Sequence, residues 1–153
     1  MSIGDILTTD RIRTDVKVSS KKKALEIISE LLAGDGEPLS PRAVSERLVA
    51  RERLGSTALG HGVAIPHGRV SGAPEAVAAF VKLTEGVDFE SPDGQPVDLI
   101  IGLLVPEECN DCHLQLLAQL AEVFSQTSIR DALRSQVTPA DVWEILNRAA
   151  IHS

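Results

Sequence analysis

The sequence predicts one α/β domain over residues 1–153, with a mixed β-sheet flanked by helices. Two observations lead there. Residues 76–83 and 97–105 are continuous apolar runs, the pattern of inner strands covered on both faces. The segments around them carry apolar residues at helical spacing. Helices flanking central apolar strands imply a layered domain, whose strand order such a pattern does not reveal.

The elements follow in chain order. Residues 12–18 alternate, with Ile12, Thr14, Val16 and Val18 on one face and Arg13, Asp15 and Lys17 on the other, which reads as a short amphipathic strand. Ser19 or Ser20 can cap the next helix, in which Ala24, Leu25, Ile27, Ile28, Leu31 and Leu32 recur before Gly34 stops it. Ser40-Pro41 opens another, a capping hydroxyl before proline at the first helical position, and Val44, Leu48 and Val49 carry its apolar face to about Arg53. Gly55, Gly60 and Gly62 then break the chain, and residues 63–66 read as a buried strand. After the runs at 76–83 and 97–105, Pro106 ends the sheet. A helix starts near Asn110 or Asp111, with Leu114, Leu117, Ala118, Ala121 and Phe124 on one side. Shorter helices are expected over 129–133 and 139–148, the second capped by Thr138.

Composition narrows the function. Apolar residues make up 43% and charged residues 24%, a soluble balance, and a chain of this size buries roughly 70% of its unfolded surface. The net charge of −7 disfavours nucleic acid, whose phosphates need clustered cations, and favours a partner with a basic patch. The longest apolar run is about half a membrane span and contains Asp98, so no membrane insertion is expected. Met1-Ser2-Ile3-Gly4-Asp5 has no basic region leading into an apolar run, so a cytoplasmic location with reduced thiols is expected. On that ground Cys109 and Cys112 are not expected to form a structural disulfide.

The stretch richest in chemistry runs from Arg51 to Arg69. His67 stands between Pro66 and Gly68 directly after an apolar run, so it is expected at a rigid strand exit. A histidine largely neutral at cell pH offers one lone pair, and phosphoryl transfer asks mainly for positioning and charge stabilisation. His67 equally fits a residue that merely ends a strand. His113 falls in the first turn of a predicted helix, where N–H groups and the dipole favour an anion; near His67 it could donate to a phosphoryl oxygen, or it is a surface residue of a helix cap. Arg51 can pair with phosphate through its planar fork or serve as a solvated helix-end cation. Ser56 and Thr57 can donate hydroxyl hydrogen bonds to phosphate or close a hydroxyl turn. Gly60-His61-Gly62 lacks the third glycine of a nucleotide fingerprint and reads as a turn. His61 and His152 read as loop and tail residues.

A competing motif is Cys109-Asn110-Asp111-Cys112-His113, which matches the C-x-x-C-H of covalent haem attachment and, in its cysteines, redox and zinc patterns. Haem is disfavoured by the lack of an export signal and by an aromatic content of 3%. Zinc would need further ligands, such as His67 or His61. A thiol- or metal-binding module on Cys109, Cys112 and His113 stands as an alternative of a different class; otherwise no cofactor and no metal are expected.

Leu54-Gly55-Ser56-Thr57, Gly62-Val63-Ala64-Ile65-Pro66-His67-Gly68 and His113-Leu114-x-x-Leu117 resemble the enzyme IIA domains of the phosphoenolpyruvate:sugar phosphotransferase system, in the fructose/mannitol/nitrogen-regulatory family. The likeness covers nearly the whole chain, and residues 20–31 and 95–99 are similar to nitrogen-regulatory members in particular. The resemblance implies a mixed sheet flanked by helices and a phosphohistidine carrier. It implies that His67 takes phosphate from a small HPr-like carrier protein, that His113 is the second active-site histidine, and that Arg51 supports the phosphorylated state. Two features depart from the family pattern: the cysteine pair beside His113, and His61. With no sugar-binding, membrane or enzyme IIB segment readable, a standalone carrier that regulates target proteins by its phosphorylation state is expected. The alternative is a fructose/mannitol-type IIA that passes phosphate to a IIB component for sugar uptake.

Overall fold

In the computed structural model, which describes residues 2–34, 39–135 and 137–151, the chain runs α1 (Ile3–Ile6), β1 (Leu7–Val16), α2 (Lys21–Leu32), α3 (Pro41–Leu54), β2 (Ala58–Gly60), β3 (Val63–Ala64), β4 (His67–Val70), β5 (Val77–Val87), β6 (Val97–Pro106), α4 (Asn110–Phe124), α5 (Thr127–Arg134) and α6 (Pro139–Ile151). His152, read as a tail residue, lies outside the described residues. The predicted caps form. The Ser20 and Ser40 hydroxyls accept the Lys23 and Ala43 amides, each at 3.2 Å. Thr138 and Asp141 cap one another reciprocally at 3.1 and 2.9 Å.

The six strands make a mixed sheet in the order β1-β5-β6-β3-β2. β5 and β6 are antiparallel, whereas β1 runs parallel to β5. β3 and β4 follow one another along the same edge of β6, both parallel to it, with Val63 opposite Leu99 and His67 opposite Leu103. Side chains of β6 alternate between two cores. Leu99, Ile101, Leu103 and Val105 pack with α1, α4, α5 and α6; Ile100 and Leu104 pack with α2 and α3. This double burial is why the two apolar runs lack an alternating pattern. Among the described residues, no helix is long and apolar enough to cross a membrane.

Several expectations need correction. β1 begins at Leu7 rather than Ile12, because Leu7 pairs with Ala78 across a stretch (Thr8, Thr9, Asp10) that is exposed and so carries no apolar signal. His67 opens a strand instead of ending one: after a break at Ile65-Pro66 the chain resumes pairing with β6 as β4. The buried stripe of α4 is Leu116, Leu120, Val123 and Phe124, with Leu117 beside it, while Leu114 is 67% exposed and Ala118 and Ala121 face outward. Two apolar stripes on one helix share Leu117 and Phe124, and packing against α1, α5 and α6 selects between them. The end of α2 is as expected, with Leu32 last in the helix, Ala33 as its cap and Gly34 directly after it.

Candidate functional site

The break between β3 and β4 sets the position and tautomer of His67. The Ile65 amide donates to the Thr57 carbonyl at 3.1 Å, Pro66 has no amide to donate, and its carbonyl accepts from Leu103 at 3.0 Å. The Ile65 carbonyl accepts instead from Nδ1 of His67 at 2.8 Å. A carbonyl only accepts, so Nδ1 carries the proton and Nε2 keeps the lone pair. Burial pushes the His67 pKa below that of an ordinary histidine; the bond to Ile65 opposes this, Arg51 adds to it and Glu52 works against it. The ring is therefore held neutral.

His67 lines a cleft of about 300 Å³ with Arg47, Ala50, Arg51 and Leu54 from α3, Gly68 and Arg69 from β4, and His113 from α4. α3 covers one face of the sheet and α4 the other, and their ends meet around β4 at the edge of β6. Gly68 allows α3 to come this close, since a Cβ there would sit 3.3 Å from the Cβ of Arg47. The His113 ring stands edge-on to His67 with centroids 5.4 Å apart. Its Nδ1 is buried without a hydrogen-bond partner. Burial lowers the His113 pKa, followed by the charges of His67, Arg69 and Arg51. Two neutral imidazoles among three guanidinium groups form an anion-favouring pocket on a protein of net charge −7.

Arg51 donates from Nη1 to the Gly55 carbonyl at 2.9 Å, which holds its fork at the helix exit beside the cleft. Ser56 and Thr57 point elsewhere. The Ser56 hydroxyl donates to the Phe89 carbonyl at 2.5 Å, and Thr57, 6% exposed, donates its hydroxyl to the Glu52 carboxylate. Neither lines the cleft. The structure thus gathers His67, His113 and Arg51 and turns Ser56 and Thr57 inward.

Two further residues line this cleft, and a third supports it from behind. Arg47 lies one turn before Arg51 on α3, and Arg69 lies two residues beyond His67 on one strand face; helix and strand periods carry that signal. Glu52 is hidden in sequence, because Arg51-Glu52-Arg53 reads as a solvated helix end. In the structure it is buried, accepts the Thr57 amide at 3.2 Å and pairs with Lys21 at 2.9 Å. It pins the turn between α3 and β2.

Cys109 and Cys112 are joined as a disulfide, contrary to expectation. Their C-x-x-C spacing across the first turn of α4 brings the Cα atoms to 5.6 Å, within disulfide reach. Among the described residues, no three of His, Cys, Asp and Glu gather as a metal site. His61 lies away from the cleft, exposed in the turn joining β2 and β3; its φ of 58° falls between Gly60 at 94° and Gly62 at 78°. A second, open cleft beside it is lined by Arg134, which binds Asp98 at 2.8 Å and the His61 carbonyl at 2.6 Å.

Residues 5–149 match the family model for the phosphoenolpyruvate-dependent sugar phosphotransferase system, EIIA 2. The chain is 43% identical over 141 residues to a nitrogen regulatory protein of Pseudomonas aeruginosa, covering 92% of each. Among solved structures it resembles the nitrogen regulatory protein IIA-Ntr of Neisseria meningitidis, with a TM-score of 0.89 and 48% identity over 94% of this chain and 98% of that one. It also resembles IIA mannitol of Escherichia coli, with a TM-score of 0.75 and 26% identity over 91% and 97% of the two chains.

Proposed function

The chain belongs to the EIIA 2 family of the phosphoenolpyruvate-dependent sugar phosphotransferase system, and on that premise we propose that it is a phosphohistidine carrier with His67 as acceptor. The observation that carries this reading is the Ile65 carbonyl on Nδ1 of His67, which leaves Nε2 nucleophilic in a cleft lined by arginines. The Nε2 lone pair attacks the phosphorus of a phosphohistidine on an HPr-like donor. The donor's P–N bond breaks as the new one forms, and the donor ring keeps the electron pair. Arg51 and Arg69 balance the charge on the phosphoryl oxygens, and His113 donates a hydrogen bond to one of them. Ser56 and Thr57 act from behind, by shaping the turn whose Gly55 carbonyl holds the Arg51 guanidinium. Leu54, 84% exposed at the cleft, and Leu114, beside His113, offer apolar contact to a protein donor.

Phosphorylation adds roughly −1.5 to −2 charges to this face, enough to favour one protein partner and repel another. Regulation of target proteins is preferred over sugar uptake because the chain is more similar to nitrogen regulatory proteins than to IIA mannitol. A cytoplasmic setting, where such a cascade operates, goes with this reading. Incubation with the phosphoenolpyruvate-driven cascade should label His67. Label elsewhere, or undiminished in His67→Ala, refutes the assignment. Fast, saturable transfer to a fructose- or mannitol-type IIB domain would instead favour the transport role.

A further inference from the structure

We infer that Cys109 and Cys112 form a thiol–disulfide exchange site whose oxidation state governs how well His113 serves His67, an inference that rests on the phosphocarrier reading above. The pair spans the first turn of α4. Cys109 occupies the N-cap position, where no side chain accepts a hydrogen bond from the turn, and the disulfide to Cys112 closes that turn covalently. His113 is the next residue, and its ring is the one that stands 5.4 Å from His67. Its buried Nδ1 has no hydrogen-bond partner, so no bond from that nitrogen anchors the ring, and the path of the first turn that carries it matters the more for its placement. Both cysteines are half-buried rather than sealed in the core, which leaves the bridge open to a reductant.

Reduction follows ordinary exchange chemistry. The thiolate of a dithiol reductant attacks one sulfur of the bridge and releases the other; its second thiol then resolves the mixed disulfide. Two electrons and two protons pass to the cysteine pair, and the reductant becomes a disulfide. Two consequences act in the same direction. The first turn loses its covalent closure, so His113 is held less firmly against the cleft. A thiol freed at a helix N-terminus also ionises more readily, placing negative charge next to the residue meant to contact a phosphoryl oxygen. The oxidised form is therefore the competent one, and the reduced form transfers phosphate more slowly.

The test compares the full chain reduced with dithiothreitol or oxidised with diamide. Alkylation by iodoacetamide and intact mass define each state, with two additions expected after reduction and none after oxidation. Phosphate transfer from a phosphorylated HPr-like carrier should slow on reduction, by up to the roughly hundredfold that a misplacement of about 1 Å can cost. The double variant Cys109→Ser, Cys112→Ser should transfer at the slower rate whatever the oxidant. Equal rates in the two states, or thiols that stay alkylatable after diamide, overturn the inference. His113 ring resonances in NMR supply a readout independent of transfer: they should differ between the two states, and identical resonances also overturn it. Absence of label on His67 in both forms counts against the phosphocarrier reading instead, and the resonances still judge the redox coupling.

Discussion

The Ile65 carbonyl lies 2.8 Å from Nδ1 of His67 and decides which nitrogen of that ring keeps its lone pair. A backbone acceptor two residues upstream cannot be removed by side-chain mutation, so the Nδ1–H tautomer should dominate in the unphosphorylated protein. Nitrogen-15 NMR of labelled histidine should find Nδ1 protonated, and the phosphorylated protein should carry phosphate on Nε2. Phosphate on Nδ1 would rule this geometry out.

Burial lowers the pKa of both His67 and His113, so each stays neutral below the pH of about 6.5 at which an ordinary histidine half-charges. Phosphate acceptance measured against pH should therefore hold its plateau below 6.5 before its acid limb begins. Folding stability should fall with decreasing pH in the same window. There the unfolded chain takes up protons that the native rings refuse, and the state binding more protons gains as pH drops. Above about 6.5 neither state binds them and these two residues add no slope. Urea titrations of the native chain against His67→Ala, His113→Ala should isolate the effect as a flatter pH dependence in the variant.

Arg51 and His113 meet the phosphoryl group in the proposed site without belonging to the core, since both are half-buried at the cleft. Loss of one well-aimed donor typically slows catalysis by roughly a hundredfold, and that is the expected loss of transfer rate for Arg51→Ala or His113→Ala, with unchanged circular dichroism. Arg51→Lys should recover only part of the rate, because an ammonium does not reproduce the planar fork. Full recovery with lysine would reduce the role of Arg51 to that of a simple positive charge.

Glu52 should matter for stability out of proportion to its unremarkable sequence context. Its carboxylate serves the Thr57 amide, the Thr57 hydroxyl and Lys21 from a buried position. Removing one partner of a buried pair leaves the other uncompensated, so Glu52→Ala should cost about 2–4 kcal/mol in urea unfolding. The exposed Arg42–Glu46 pair on the same helix is the control: Glu46→Ala there should change stability by less than about 0.5 kcal/mol. Similar losses for the two variants would contradict a pinning role for Glu52.

Much of the fold was legible because it follows from short-range rules. The apolar runs of β5 and β6, the caps at Ser20, Ser40 and Thr138, and the turn at His61 each depend on a few neighbouring residues. β1 and β4 were harder: one starts in exposed residues and the other is four residues long, and both are defined by their partners Ala78 and Leu103. The disulfide ran against an argument from compartment, which says nothing about how near two sulfurs lie once a helix places them on one turn.

A layered α/β chain and the histidine between Pro66 and Gly68 can both be read from neighbouring residues, because periodicity, capping and backbone stiffness act over a few positions. Tertiary structure alone decided that α3, β4 and α4 converge, bringing Arg51, His67 and His113 from separate elements to one cleft. It also decided that Ser56 and Thr57 turn away from that cleft and which stripe of α4 is buried. What separates the two kinds of outcome is distance along the chain. These outcomes depend on the pairing of β4 with β6, and on helices packing across a shared sheet, between residues whose sequence spacing carries no trace of the contact.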